Sequence, residues 1–159
     1  MTKRKILDAI IAVLQADLDT FTRAADAARA EATDPQSRAE HKYDTRGLEA
    51  SYLAAGQARQ VKELEAALGT YRLLSLRAFG PGEAVDLSAL VELEQGGEKT
   101  AYFMGPCAGG TEVTVGKRSI LVITPQSPLG QLLLGRKAGD RFDLNIAGRP
   151  RAVRLVTVA

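Results

Sequence analysis

At 159 residues, 45% of them hydrophobic and 25% charged, the chain has room for one domain or two small ones and enough apolar side chains to bury a core. A formal net charge of +2 is too small to drive nucleic-acid or membrane-surface binding by field alone. A single cysteine, Cys107, and a single histidine, His41, exclude an intrachain disulfide framework and the usual zinc sites.

Lys3-Arg4-Lys5 has the charge of a signal-peptide start, but Asp8, Gln15, Asp17 and Asp19 interrupt the apolar residues that follow. No stretch approaches the ~20 apolar residues of a spanning helix. A soluble, cytoplasmic chain with no membrane partner is expected.

The periodicity changes at Phe79-Gly80-Pro81-Gly82. Before it, Leu7, Ile11, Leu14, Leu18, Phe21, Ala25 and Ala28 recur at alternating steps of four and three. Ala50, Ala54, Gln57, Val61, Leu64, Leu68 and Tyr71 do the same. Such spacing puts side chains on one narrow stripe of a helix, a coiled-coil seam that has to be covered. With only a short polar segment between them, the two stripes predict an antiparallel helical hairpin over residues 1–79. Its turn is expected at Thr33-Asp34-Pro35-Gln36-Ser37 or just after, where Thr33 or Asp34 caps and Pro35 starts a short extra turn. The seam residues shrink from leucine to alanine toward that turn, which predicts a slender distal part.

From residue 83 to 159 the text is that of strands. Ala89–Glu94 alternates, Gln95-Gly96-Gly97-Glu98 turns, and Thr100–Met104 completes a hairpin. Glu112–Val115 turns at Gly116-Lys117 into the apolar run Ile120–Ile123, expected in a strand covered on both faces. Arg141–Ile146 alternates, Ala147-Gly148-Arg149-Pro150 turns, and Ala152–Val158 ends the chain. One short helix interrupts them, capped by Ser127, started by Pro128, filled by Gln131–Leu134 and stopped by Gly135. The fold class is α+β: a helical hairpin followed by a small mixed domain.

The run Thr124-Pro125-Gln126-Ser127-Pro128-Leu129-Gly130-Gln131-Leu132-Leu133-Leu134-Gly135-Arg136-Lys137-Ala138-Gly139-Asp140 resembles the carboxy-terminal domain of the Gre (GreA/GreB) transcription elongation factors. The resemblance extends over nearly the whole chain, because that family also joins an amino-terminal antiparallel coiled coil to a domain of FKBP-like topology. It implies that the globular domain docks at the rim of the RNA polymerase secondary channel while the coiled coil reaches down it. Acidic tip residues then help hold a magnesium ion of the polymerase and a water, so that the polymerase cleaves backtracked RNA. Hard carboxylate oxygens suit that ion. No cofactor is expected on the chain alone, and nascent RNA and DNA are met only within the elongation complex. A monomer that is no enzyme by itself is implied.

At the tip the chain departs from the family's Asp-x-x-Glu-Asn pattern. Glu40 falls at the aspartate, Tyr43 at the glutamate and Asp44 at the asparagine. On a helix Glu40 and Asp44 share a face and can converge on one cation. Glu40, His41, Lys42, Tyr43 and Asp44 are therefore the candidate tip, with Glu40 and Asp44 as metal ligands and Asp34 and Glu49 as outside candidates. Lys42 and Arg46 lower the negative charge there. Two outcomes stay open: stimulated cleavage, or a ligand of the channel that inhibits or competes without cleaving.

The candidate docking residues implied by the resemblance are Ser127, Pro128, Leu129, Gly130, Arg136, Lys137 and Asp140. Arg136, Lys137 and Arg141 either contribute a patch for an acidic polymerase surface or are a solvated charged turn. The capped start at Ser127 is read as packing rather than as a phosphate cradle, since it lacks a glycine-rich loop and lysine. Cys107 is read as a small turn or core residue. Two further readings come from other classes. One is a peptidyl-prolyl isomerase, which the 5% aromatic content disfavours; the other is a coiled-coil interaction protein that never meets polymerase.

Overall fold

The computed structural model describes residues 2–37 and 45–159. Helices α1 (Lys3–Thr33) and α2 (Arg46–Arg72) form a long helical hairpin. Their 31 and 27 residues correspond to about 46 and 40 Å. After α1 the chain makes the expected short turn at Pro35–Ser37, where the Asp34 carboxylate accepts from Gln36 N at 2.9 Å. By contacts the chain divides into two compact units, Met1–Ile11 with Thr70–Ala159, and Ala12–Gly69.

In the unit of residues 12–69 the buried side chains are Leu14, Ala25, Ala28, Ala50, Leu64 and Leu68, every one of them on a predicted seam. Leu18, Phe21, Ala54, Gln57 and Val61 are half-buried between them. The polar seam member, Gln57, keeps a buried amide oxygen without a hydrogen-bond partner. A polar seam residue costs stability and restricts register.

The other unit is built on a six-stranded sheet. Its strands are β1 (Leu90–Gln95), β2 (Glu98–Met104), β3 (Glu112–Val115), β4 (Arg118–Ile123), β5 (Arg141–Ile146) and β6 (Arg149–Val158), in the order β3-β4-β2-β1-β6-β5. Only the β2–β4 pairing is parallel among these ladders. Helix α3 (Pro128–Leu133) supplies Leu133 to a core of Val91, Leu93, Met104, Val153 and Leu155 on one sheet face. Phe103, Ile120 and Val122 point to the other face and are equally buried, so the Ile120–Ile123 run is covered on both sides as its composition predicts. Ile6 and Ile10, off the predicted seam, are also fully buried in this unit. The first turns of α1 therefore bury a wider stripe than the coiled-coil spacing marks.

Tyr71, at the end of α2, is fully buried, and its hydroxyl donates to the Cys107 carbonyl at 2.7 Å. Burial, reinforced by Cys107, holds the phenol protonated well above its ordinary range. In the unfolded chain a phenol ionises near pH 10, so the stability contributed by neutral Tyr71 is complete below that pH and is lost as the pH rises beyond it. Tyr71→Phe is expected to flatten the loss of stability in urea melts taken from about pH 8 to about pH 11. Tyr102, shifted the same way by burial, leaves part of the slope in place. An alkaline slope identical to wild type counts against this assignment.

Among the described residues, no helix is long and apolar enough to cross a membrane.

Candidate functional site

The segment expected to dock is built as a tight turn running into α3. Ser127 is the N-cap, at φ −69° and ψ 152°. Its hydroxyl donates to the Thr124 carbonyl at 2.8 Å and accepts from Gly130 N at 3.1 Å. Pro128 stands where a missing N–H breaks no helical bond. At Gly130 a Cβ would lie 1.7 Å from the Thr124 carbonyl oxygen and 2.9 Å from Ser127 Oγ. The Ser-Pro-x-Gly spacing thus answers three local demands: a cap, a free first turn and a position without a side chain. The Ser127 hydroxyl and the Gly130 N–H are committed to each other, which agrees with a packing role.

After α3 the chain turns at Gly135, whose φ of +83° is one a residue with a Cβ rarely adopts. The Asp140 carboxylate accepts from Lys137 N at 2.8 Å, and Asp140 N donates to the Lys137 carbonyl at 3.0 Å. Asp140 therefore closes the turn that its own sequence spacing encloses. Gly139 N and the Asp140 carbonyl bond to Leu155 and fix that turn on β6. The Arg136 guanidinium lies over the Phe142 ring, 4.6 Å from its centroid.

Beside Ser127 lies a groove of about 570 Å³ walled by Tyr102, Leu121, Pro128, Leu129, Leu144 and Ile146. No ionisable side chain other than Tyr102 lines it among the described residues. Strands β4 and β5 belong to opposite halves of the sheet, yet both reach this groove. The sheet is curled, and the far end of β5 closes back over its concave side. Ile146 keeps 42% of its surface exposed there, while Leu132 on α3 and Leu134 just beyond it, 37% and 44% exposed, lie outside the groove. An apolar groove with exposed anchors is the form taken by a site that receives an apolar segment of another protein.

Of the candidate docking residues, Ser127, Pro128 and Leu129 line the groove, Gly130 allows the turn beside it, Arg136 lies over Phe142, which does not line it, and Lys137 and Asp140 shape the following turn. Arg141 does not join them. It pairs in register with Arg154 on the sheet face opposite to Phe142 and Leu144. Tyr102, Leu121, Leu144 and Ile146 escaped the sequence reading as site residues. Alternation assigns each to a strand face, but only the curling of the sheet brings them together.

The candidate tip residues Glu40, His41, Lys42, Tyr43 and Asp44 lie outside the described residues. The two outside candidates for the tip have local partners: Asp34 caps the Pro35 turn, and the Glu49 carboxylate accepts from the Thr45 hydroxyl at 2.9 Å. Burial pushes the half-buried Cys107 thiol up, away from the reactive thiolate. Among the described residues no group of three or more His, Cys, Asp or Glu side chains is placed to hold a metal ion.

No family model matches the chain, and no curated protein matches it. Among solved structures, the chain is similar to GreA factor homolog 1 of Thermus thermophilus, at 23% identity over 95% of each chain with a TM-score of 0.40. It is similar at 22% identity to the Thermus aquaticus Gfh1 protein, over 95% of this chain and 94% of that one, with a TM-score of 0.41. It is also similar to the prokaryotic transcription elongation factor GreA/GreB from Nitrosomonas europaea, at 23% identity over 62% of this chain and 78% of that one, with a TM-score of 0.40.

Proposed function

We propose that the protein is an accessory factor of RNA polymerase in the cytoplasm, acting on backtracked or arrested elongation complexes through the secondary channel. The observation that carries the reading is the Ser127–Gly130 turn. The stretch that resembles the Gre docking motif is folded as a capped, glycine-dependent turn at the mouth of an apolar groove. A helical hairpin with narrow alanine seams supports it, since such a hairpin suits insertion into a pore.

In this reading the groove seats the globular unit on the polymerase by apolar burial, and the segment between α1 and α2 carries Glu40 and Asp44 to the polymerase active site. A magnesium ion held there by the polymerase supplies Lewis-acid polarisation and a bound water. The chain's own part is to place two carboxylates beside it. Tyr43 in place of the family's glutamate favours the second form of the same reading, a non-cleaving ligand that slows or competes.

Adding the purified chain to backtracked elongation complexes decides between the two forms. If the carboxylates act in cleavage, RNA shortens from its 3′ end, and Glu40→Ala and Asp44→Ala each reduce the rate by about 10-fold or more. Slowed elongation without shortening establishes the non-cleaving form. No effect on polymerase and no co-purification with it overturn both.

A prolyl isomerase is disfavoured by the site itself. Tyr102 is the single aromatic side chain among the described residues lining the groove, where that chemistry calls for an aromatic-walled pocket.

A further inference from the structure

Helix α2 carries a second apolar stripe besides its seam. Leu48, Tyr52 and Ala55 recur at the same four-three spacing, on the side of the helix opposite to Ala50, Ala54 and Gln57. The seam is buried or half-buried, whereas Leu48 and Tyr52 keep 53% and 71% of their surface exposed. Between Arg46 and Arg59 the sequence has one charged residue, Glu49. From Arg59 onward the same face turns charged, with Arg59, Lys62 and Glu63 exposed. The distal part of α1 likewise presents Arg23, Asp26, Arg29 and Glu31 to solvent. A surface helix keeps a polar face opposite its apolar one, and a helix apolar on both faces is covered on both.

The order of residues about Tyr52 says what covers it. Leu48 lies four residues before Tyr52 and Gly56 four after it, so an antiparallel copy centred on Tyr52 sets each leucine against a glycine. The two tyrosine rings meet at the centre, where an aromatic pair packs well. Glu49 lies three residues before that centre and Arg59 seven after it. In the antiparallel pair the Arg59 of one copy and the Glu49 of the other are thus four residues apart along the axis, about 6 Å, which a guanidinium on its long stem spans. Large meets small and acid meets base at both ends of a twofold axis. A foreign partner would call for no such internal match.

We propose that two copies of the chain associate through the outer faces of their α2 helices, with the twofold axis at Tyr52, and that this pairing holds the hairpin in reserve. Contact over three turns of helix buries about 1,000 Å² in total, the low end for a specific interface, so the pair is reversible with a dissociation constant of about 10 μM or weaker. It stands in place of the lone monomer that the family resemblance implies. In the pair, two helices become four over the distal part of the hairpin. A segment of that girth does not enter a pore that two narrow helices suit. Self-association and entry therefore exclude one another, and dilution or polymerase releases the single chain. The exclusion rests on the reading of RNA polymerase as the partner; the pairing itself does not.

Sedimentation equilibrium of the full chain is the test. The average mass is expected to rise from one chain toward two between about 1 and about 200 μM. Tyr52→Glu, which sets two carboxylates face to face, is expected to weaken association about 30-fold or more. Leu53→Ser, about 100° round the helix from Tyr52, is expected to weaken it by less than about 3-fold. Arg59→Glu and Glu49→Lys each place like charges at both ends and are expected to lose about 10-fold alone. An equimolar mixture of those two variants recovers the wild-type association, because the mixed pair again has acid against base at both ends. Tyr52 is exposed, so thermal melts of dilute Tyr52→Glu should coincide with wild type, which separates lost pairing from lost folding. A wild-type chain that stays single throughout, or a mixture that associates no better than its components, overturns the pairing. Excess core RNA polymerase is expected to dissolve the pair, and a pair that persists on polymerase overturns the exclusion. A chain that pairs but does not bind core polymerase removes the polymerase reading and leaves the pairing in place.

Discussion

Gly130→Ala is expected to be strongly destabilising, since among the described glycines an added Cβ would meet its closest contact there. The new Cβ would sit 1.7 Å from the Thr124 carbonyl oxygen and 2.7 Å from its carbon, both backbone atoms that no rotamer change can move aside. The turn from Thr124 to Ser127 is held by three hydrogen bonds, so relief requires breaking the Ser127 cap and shifting α3. Overpacking of a core commonly costs 1–3 kcal/mol, and a backbone clash this close is expected to cost about 3 kcal/mol or more. Urea unfolding measures it. Because Pro128 and Leu129 line the groove from this turn, the polymerase binding proposed above should fall together with stability. Leu132→Ala, on the exposed side of the same helix, serves as the contrast and is expected to change stability by less than about 1 kcal/mol. A Gly130→Ala protein as stable as wild type would remove the close approach from which the turn has been argued.

The second large effect concerns Gly105 and Tyr71. A Cβ at Gly105 would lie 2.1 Å from the Tyr71 hydroxyl oxygen and 2.9 Å from Val122 Cγ1. Gly105→Ala alone is expected to cost about 3 kcal/mol, since the hydroxyl must leave the Cys107 carbonyl to make room. Tyr71→Phe alone removes that hydrogen bond and is expected to cost about 1–2 kcal/mol. In the double variant the worst contact is gone, and the nearest ring atom is 3.2 Å away. The two changes should then be less than additive by at least about 1 kcal/mol in a double-mutant cycle. Strict additivity would show that the hydroxyl and Gly105 do not meet in solution.

Elements came out of the sequence where a local rule covers the whole of what forms them. The seams are an example: three-four spacing from Leu14 to Ala28 and from Ala50 to Leu68 depends only on the pitch of a helix, and every one of those residues is buried or half-buried. The Ser127 cap, Pro128 and the stop at Gly135 follow from backbone chemistry within a few residues, and α3 occupies Pro128–Leu133 between them. Strands β3 and β5 match their sequence bounds for the same reason, an alternation closed by turn residues. The extra burial of Ile6 and Ile10 did not come out, because it depends on what covers them rather than on their own spacing.

By itself, then, the chain's text determined that two long helices with complementary stripes, α1 and α2, precede the break at Phe79, that strands follow, and that Ser127 to Gly130 makes a capped turn. All of these are set by contacts spanning a few residues along the backbone. Tertiary structure alone decided which side chains share a site. Leu121 and Leu144 are brought to one groove by the curl of a six-stranded sheet, and the register of β5 on β6 sends Leu144 and Ile146 to that side and Arg141 away from it. A shift of one residue in that register would exchange the two sets. Pairing between strands is a long-range event, and the alternation within either strand does not state it.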